Sequence, residues 1–292
     1  MSHPPRLPSG LKLMRLFFGS WTALVFAFLY IPIILLVVFS FNDSDYNLSW
    51  EGFTTRWYVK MAGDRFLVSG LKNSLVIASI TTVLAVAIGT LGAWLLYKYR
   101  FPFRRMINTL IFVPMVIPEV IMGISLLILF SMSFRWLEAW QSAVNGPEWF
   151  TDLAFGQGFI TVIIAHVTFC FPFVLVAVQA RLSGVDPALE EAAMDLGATP
   201  GKAFWHVMVP YMLPAIISGA LMSFTLSMDE VIVTVFTSGP DSKTLPLVMF
   251  DRVRKINPSL NAISAVLIAL TIALVLLSEW LKRPDRAVSQ IK

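Results

Sequence analysis

Long apolar runs separated by short polar segments dominate the pattern of hydrophobic and polar positions along the chain. Several runs exceed the about 20 residues that an α-helix needs to cross the hydrocarbon core of a bilayer. The pattern therefore predicts an all-α, polytopic membrane protein, because a β-barrel would show short segments of alternating hydrophobicity instead. The six predicted spans are residues 17–41, 73–97, 106–132, 158–180, 213–236 and 259–281.

The composition is typical of a membrane protein and argues against a nucleic-acid partner. Charged residues make up 14% of the 292 residues, against about 25% in a soluble domain. The net charge of +4 gives no reason to expect a nucleic-acid partner, because the basic residues lie at the ends of the spans rather than in one patch. Cys170 is the single cysteine and falls within a predicted span, so no internal disulfide can form.

The charges near the ends of the spans predict which side of the membrane each segment faces. Six spans place both termini on one side, and more than half of the 22 Lys and Arg residues then lie in inner segments. This bias favours cytoplasmic termini, although Arg252, Arg254 and Lys255 weigh against it. The first apolar run is too long for a signal peptide and no small-residue cleavage site follows it, so we expect an uncleaved anchor.

These assignments predict a simple division of the chain. The predicted parts are a cytoplasmic N-terminus at 1–16, a six-helix transmembrane domain at 17–281 with a cytoplasmic segment at 186–210, and a cytoplasmic C-terminus at 282–292.

The cytoplasmic segment at 186–210 carries helix start and stop signals. Asp186 can cap a helix and Pro187 suits the first helical position. Gly197 can end that helix in a left-handed conformation. Thr199-Pro200 repeats the start, which predicts a second short helix before the fifth span.

The first predicted helix of this segment has a small apolar face and an acidic edge. The apolar face consists of Leu189, Ala192, Ala193 and Leu196, and the charges are Glu190, Glu191 and Asp195. Small residues permit close docking into a groove on another protein. The alternative is a helix that lies on the membrane surface, but such helices are usually rich in Lys and Arg. We therefore expect a protein–protein contact.

The letters EAAMDLG followed by VMVP resemble the EAA signature of ABC-importer permeases, which is Glu-Ala-Ala, three residues, Gly, nine residues, then Ile-x-Leu-Pro. Val207 and Val209 replace the usual Ile and Leu. In that family the segment is the coupling helix that fits a cleft on the ATPase subunit. The resemblance implies that this chain contacts an ATPase through Glu190, Glu191, Ala192, Ala193, Asp195, Gly197 and Pro210.

The chain shows no phosphate-binding loop of its own. The nearest candidate is Gly201-Lys202, but Leu196 stands at the first Gly position and Ala203 at the Ser/Thr position of that motif. We therefore expect no cofactor on this chain, with ATP and Mg²⁺ bound by a separate ATPase subunit.

Three carboxylates lie inside predicted spans, where ionisable residues are costly and usually functional. They are Glu119 in the third span, and Asp229 and Glu230 in the fifth. A rise of about 1.5 Å per residue places Glu119 and Asp229 in the outer half of the membrane. A polar stripe of the fifth span follows helical spacing at Gly219, Ser223, Ser227, Glu230 and Thr234. The set predicts an acidic pathway for a cationic solute; the alternative is that neighbouring helices satisfy these groups and the groups hold the bundle together.

A wider resemblance covers the chain roughly from Tyr30 to Ser278. The stretches YIPIILLVVFSFN, GFTTRWY, HVTFCFPFVLV, FTLSMDEVIVTVFTSGP and TLPLVMF resemble the second permease subunit of spermidine/putrescine importers. This resemblance implies a type I ABC-importer permease in the bacterial inner membrane. It further implies a polyamine substrate, a homologous second permease subunit, an ATPase dimer and an extracytoplasmic solute-binding protein.

Other functions remain open from the residues alone. The chain could be a permease for another small solute, or a secondary transporter acting alone. An intramembrane enzyme using Glu119, Asp229 or His166 lacks a paired nucleophile or metal motif. His166 and Cys170 lie four residues apart and supply two metal ligands at most, so we expect a buried helix contact there.

Overall fold

The structure is a computed structural model that describes residues 9–45, 49–99, 102–144, 156–186, 188–252 and 258–281. Its secondary structure is almost entirely helical, which confirms the all-α prediction. The helices are α1 Ser9–Phe39, α2 Arg56–Gly63, α3 Arg65–Lys98, α4 Arg104–Val116, α5 Glu119–Val144, α6 Phe159–Leu182, α7 Ala188–Asp195, α8 Pro200–Ala203, a π-helical turn Phe204–Met208, α9 Val209–Asp229, α10 Ile232–Thr237, α11 Leu245–Arg252 and α12 Pro258–Leu281.

Five of the helices in the described part of the chain are long and apolar enough to cross a membrane. Their spanning portions are Phe17–Phe39, Arg65–Lys98, Glu119–Ala143, Phe159–Leu182 and Pro200–Asp229. The apolar helix α12 coincides with the sixth predicted span, and its Pro258–Ala273 portion is a shorter apolar helix. Each predicted apolar run is therefore helical, but two runs differ in continuity from the prediction.

The third predicted span is two helices rather than one. Helix α4 ends at Val116 and α5 begins at Glu119, with an extended ψ of 132° at Ile117 between them. Pro118 explains the break, because proline disfavours the helical conformation of the residue before it and donates no backbone hydrogen bond. The depth estimate for Glu119 assumed one continuous helix and does not hold, since Glu119 is the first residue of α5.

The fifth predicted span begins earlier and ends earlier than expected. The helix runs without a gap from Pro200 to Asp229, so the second short helix expected in segment 186–210 is the first part of this span. The π-helical turn Phe204–Met208 precedes Pro210, and such turns shift the hydrogen-bond register of a helix. The span ends where Glu230 adopts an extended ψ of 119°, and α10 follows.

The described residues divide into two compact units, 9–45 and 49–64 with 258–273, and 65–99, 102–144, 156–186 and 188–252 with 274–281. In the first unit, Asn42 organises the loop after α1. Its side chain donates to the Ser49 carbonyl at 2.6 Å and accepts from the Glu51 N–H at 2.9 Å, while its own carbonyl accepts from Trp57 Nε1 at 2.7 Å. The spanning part of α1 in this unit is apolar and contains no buried residue; it is exposed along most of its length, and Leu36, Val37 and Phe39 are half-buried.

The second unit is built around α3. This helix packs against α6, α9 and α11, while α10 packs against α5 and α6. Small residues let the helices approach closely, as is common where helices pack in membranes. A Cβ atom added at Gly89 would lie 2.8 Å from the Val174 side chain and 3.0 Å from the backbone of Phe171 and Leu175.

We predict that Gly89→Ala destabilises the protein by about 1–3 kcal/mol, because the new methyl group meets backbone atoms of α6 that cannot move cheaply. The matched control is Gly19→Ala in α1, where nothing lies within 4 Å of the added atom. That control should be neutral or slightly stabilising, since alanine is the better helix former. Thermal unfolding in detergent measures both, and equal behaviour of the two variants would contradict the close α3–α6 contact.

Candidate coupling surface and solute pathway

Helix α7 follows the start and stop signals of the sequence closely. The Asp186 carboxylate accepts a hydrogen bond from the Ala188 N–H at 3.0 Å, and Gly197 has the left-handed φ of 88°. Thr199 then caps the next helix by accepting from the Lys202 N–H at 3.4 Å. The predicted first helix and its caps are thus confirmed, while Pro187 lies outside the described residues.

The outer face of α7 has no cover within the described chain. Glu191, Ala192 and Asp195 are exposed, and Leu196 keeps 90% of its surface accessible. Gly197 and Pro210 are also exposed, whereas Ala193 is half-buried. A leucine so fully exposed beside a small-residue face is typical of a surface that contacts a partner.

Glu190 differs from the other residues of the EAA segment because it points into the protein. Its carboxylate forms an ion pair with Lys98 Nζ at the end of α3, and the two side chains are only 12% and 23% exposed. The ammonium group of Lys98 also lies 5.0 Å from the centre of the Trp94 ring. In the sequence, Lys98 is one of the Lys and Arg residues that predict orientation, and nothing in a single sequence links it to a residue so distant along the chain.

The three intramembrane carboxylates lie at the two helix breaks. Glu230 is buried, and its carboxylate accepts from the Val233 N–H at 2.8 Å, which caps α10. Glu119 begins α5, which packs against α10, and it is half-buried. Asp229 is the last residue of α9 and is exposed. The structure therefore places Glu119 and Glu230 at the starts of two helices that pack together, and it leaves Asp229 on an open surface.

The polar stripe of the fifth span faces α6 and forms a buried network around His166. The imidazole Nδ1 lies 2.8 Å from Ser227 Oγ, and Nε2 lies 2.9 Å from Thr234 Oγ1. Thr234 donates its hydroxyl hydrogen to the Glu230 carbonyl at 3.0 Å. We therefore assign a neutral ring that donates from Nε2 to Thr234 and accepts at Nδ1 from Ser227.

This network confirms the expected helix-contact role of His166 and Cys170. The Cys170 thiol donates to the Ser223 carbonyl at 3.6 Å, one helical turn from the His166 contact. The pairs at 166 and 170 on α6 and at 223 and 227 on α9 thus match across the helix contact. Ser223, Ser227 and Thr234 are all buried, and the hydroxyls of Ser227 and Thr234 bond His166 of α6.

A second, exposed stripe of α9 lies beside the buried one. Met222, Thr225 and Asp229 follow helical spacing and are all exposed. Thr225 satisfies its hydroxyl by donating to the Leu221 carbonyl at 2.9 Å. Asp229 therefore stands at the end of an open helix face, with its carboxylate available to a solute or partner.

Two further points about this unit concern metal ligands and a polar cleft. Among the described residues, no group of three or more His, Cys, Asp or Glu side chains could hold a metal ion. A cleft of about 660 Å³ lies beside Asn73, Asp241 and Lys243. The Asn73 amide donates to the carbonyls of both of these loop residues, at 2.9 and 3.0 Å.

Comparison with known proteins identifies the family. Residues 82–283 match the family described as binding-protein-dependent transport system inner membrane component. This chain belongs to that family. It is therefore an inner-membrane transport component of the ABC-importer class rather than an enzyme.

Relatives of this inner-membrane component share its length as well as its sequence. It is 37% identical to the spermidine/putrescine transport system permease protein PotC of Escherichia coli over 92% of this chain and 95% of that protein. It is 38% identical to the putrescine transport system permease protein PotI of Escherichia coli over 92% of this chain and 89% of that protein.

Solved structures agree with the fold of the inner-membrane component. A bacterial ABC transporter involved in the import of the acidic polysaccharide alginate has a chain that matches with a TM-score of 0.69. The match covers 96% of this chain and 99% of that chain at 14% identity. At this identity the likeness establishes the helical permease architecture and carries nothing about the solute.

We predict that His166→Ala lowers the free energy of unfolding by about 2–4 kcal/mol, because it leaves the buried hydroxyls of Ser227 and Thr234 without their partner. The control is His206→Ala, since His206 is exposed and bonds a single backbone carbonyl. That change should stay within about 0.5 kcal/mol. Unfolding in detergent measures both variants, and a stable His166→Ala variant would contradict the network.

Proposed function

We propose that the chain is a transmembrane permease subunit of an ATP-driven importer that moves a spermidine- or putrescine-like polyamine into the cytoplasm. The observation that carries the proposal is the 37–38% identity to polyamine-system permeases over 92% of the chain. Polyamines are polycations, so their passage through a membrane protein calls for carboxylates along the path. The intramembrane acids of this chain provide that chemistry.

The solute pathway in this proposal runs past the two helix breaks. Non-helical backbone at membrane depth is tolerated where it is buried in protein or lines a water-filled cavity. Glu119 follows one break and Asp229 precedes the other, and both have accessible surface. We assign these two carboxylates to direct contact with the ammonium groups of the solute.

In this proposal the other predicted pathway residues do not contact the solute but support the residues that do. One carboxylate oxygen of Glu230 caps the N-terminal end of α10, and Ser227 and Thr234 bond His166. Ser223 is fully buried against α6. These four residues hold the shape of the break beside Asp229.

Membership of a binding-protein-dependent family supports the proposed partners. We propose a homologous second permease, two copies of an ATPase that bind ATP and Mg²⁺, and an extracytoplasmic solute-binding protein. The proposed layout is cytoplasmic 1–16 and 282–292 around a permease domain at 17–281. The segment 186–210, which contains α7, then lies on the cytoplasmic side in reach of the ATPase.

The transport cycle uses α7 as the moving part. ATP binding closes the ATPase dimer and displaces the helix docked in it. That displacement opens the pathway outward, where the binding protein delivers the solute to Asp229 and Glu119. ATP hydrolysis then resets the ATPase and the pathway opens inward.

We predict that Glu119→Gln and Asp229→Asn each reduce spermidine uptake by cells that express the whole transporter. Each change removes one charged contact worth about 1.5–3 kcal/mol, which corresponds to about tenfold to a hundredfold in apparent affinity. Glu138→Gln is the control, because Glu138 is an exposed acid near the other end of α5.

The measurement is the concentration dependence of labelled spermidine and putrescine uptake, with the amount of assembled transporter checked for each variant. If both neutral variants transported like the Glu138→Gln control, the acidic pathway would be wrong. If the parent transporter carried no polyamine but another solute, the assigned substrate class would be wrong.

We predict that Glu191→Arg abolishes stable association with the ATPase, because it reverses the charge on the exposed face of α7. The matched control is Glu138→Arg, which makes the same charge change at an exposed position on α5. Co-purification of the ATPase in detergent measures the effect. Retained ATPase together with intact uptake would rule out this face as the docking surface.

A further inference from the structure

We infer that Lys98 and Glu190 form a latch that transmits the movement of α7 to α3, and that both are positioning residues for transport. The inference rests on the proposed function of α7 as the element that docks to the ATPase. It goes further by naming the contact through which a displacement of α7 reaches the membrane helices. Neither residue touches the solute or ATP.

The latch is more enclosed than the Lys243–Asp251 ion pair. Its side chains are 23% and 12% exposed, whereas both side chains of the Lys243–Asp251 pair are 45% exposed. Exposed ion pairs contribute little, since water and salt screen them. Breaking a partly buried pair leaves one charge poorly solvated, so this contact resists being pulled apart.

An aromatic cluster supports the Lys98 side of the latch. The Trp94 ring lies one helical turn before Lys98, and its centre is 5.0 Å from the ammonium nitrogen. The same ring packs at 4.6 Å from that of Phe204, which is buried in the π-helical turn at the start of the fifth span. Helix α7 itself packs against this turn. The latch therefore joins α7, the end of α3 and the base of the fifth span in one place.

The two faces of α7 carry different acidic residues, and each has its own task. Glu190 and Glu191 are adjacent, and neighbouring residues of a helix point about 100° apart. Glu190 is directed to Lys98, and Glu191 is exposed. One acid of the pair can bind a partner while the other stays bound to α3.

Helix α3 is suited to carry the movement further because it is packed on several sides. It contacts α6, α9 and α11, and at Gly89 its backbone lies directly against α6. Packed helices move as units because their interfaces do not deform continuously. A displacement at Lys98 therefore reaches the helices that carry the solute pathway.

The test compares Lys98→Ala, Glu190→Ala and the charge-swapped Lys98→Glu/Glu190→Lys in the complete transporter reconstituted with its ATPase. The readout is solute transported per ATP hydrolysed. We expect each single variant to keep the ATPase bound but to lose about fivefold or more in transport per ATP. The charge swap should recover most of that loss, because it restores an attractive pair.

The matched control is the Lys243–Asp251 pair, tested as Lys243→Ala and as the swap Lys243→Glu/Asp251→Lys. This exposed pair lies 2.7 Å apart and joins the loop after α10 to α11 rather than to α7. Its variants should keep the parent ratio. The transmission role would be overturned if the single latch variants transported as much solute per ATP as the parent. It would also be overturned if the charge swap transported no more solute per ATP than the single variants.

Hydrogen exchange of the α7 amides in the same complex tests the latch without reference to the solute. Lys98→Ala should speed exchange in residues 188–195 by about fivefold or more, and the swap should restore protection. Unchanged exchange would show that the ion pair does not hold α7. If the parent complex moved no polyamine but the variants still showed this exchange pattern, the proposed substrate would be wrong and the inference about the latch would stand.

Discussion

The bilayer requires every backbone N–H and C=O group at membrane depth to find a partner inside the protein, and the rest of this structure depends on that constraint. Most of the chain satisfies it with long helices. Two spans nevertheless break, one at Ile117–Pro118 and one at Glu230–Val231. At the second break the Glu230 carboxylate accepts from the Val233 N–H, and the Glu230 carbonyl accepts from the Thr234 hydroxyl. Polar side chains therefore stabilise this break by bonding backbone groups that a continuous helix would satisfy by itself.

The polar network and the close helix packing have complementary roles around that break. His166 holds both the last turns of α9, through Ser227, and the first turn of α10, through Thr234. Gly89 allows α3 to approach α6 closely enough to fix the helix that carries His166. The open groups, Asp229 and Glu119, are thus presented by a rigid framework. At the C-terminal end of α3, nine residues beyond Gly89, the ion pair of Lys98 with Glu190 connects the same framework to α7.

Features set by neighbouring residues could be predicted from the sequence, and features set by distant ones could not. The bounds of α7 follow from Asp186 and Gly197, whose capping behaviour is local. Pro118 marked the broken third span, but the hydrophobic run around it suggested continuity. The spacing of Ser223 and Ser227 defined a stripe without indicating which helix it would face. The pairing of Glu190 with Lys98 depends on the fold of the whole unit and leaves no signal in either residue's surroundings.

The most direct test of the account is accumulation of labelled spermidine in proteoliposomes. The proteoliposomes contain the transporter, purified by an affinity tag on this chain, and are compared with and without ATP available to the ATPase. The account predicts accumulation against a gradient only when the complete complex and ATP are both present. Liposomes that hold this chain alone should accumulate nothing. Equal accumulation without ATP, or by the isolated chain, would contradict the claim that this protein is the permease subunit of an ATP-driven importer.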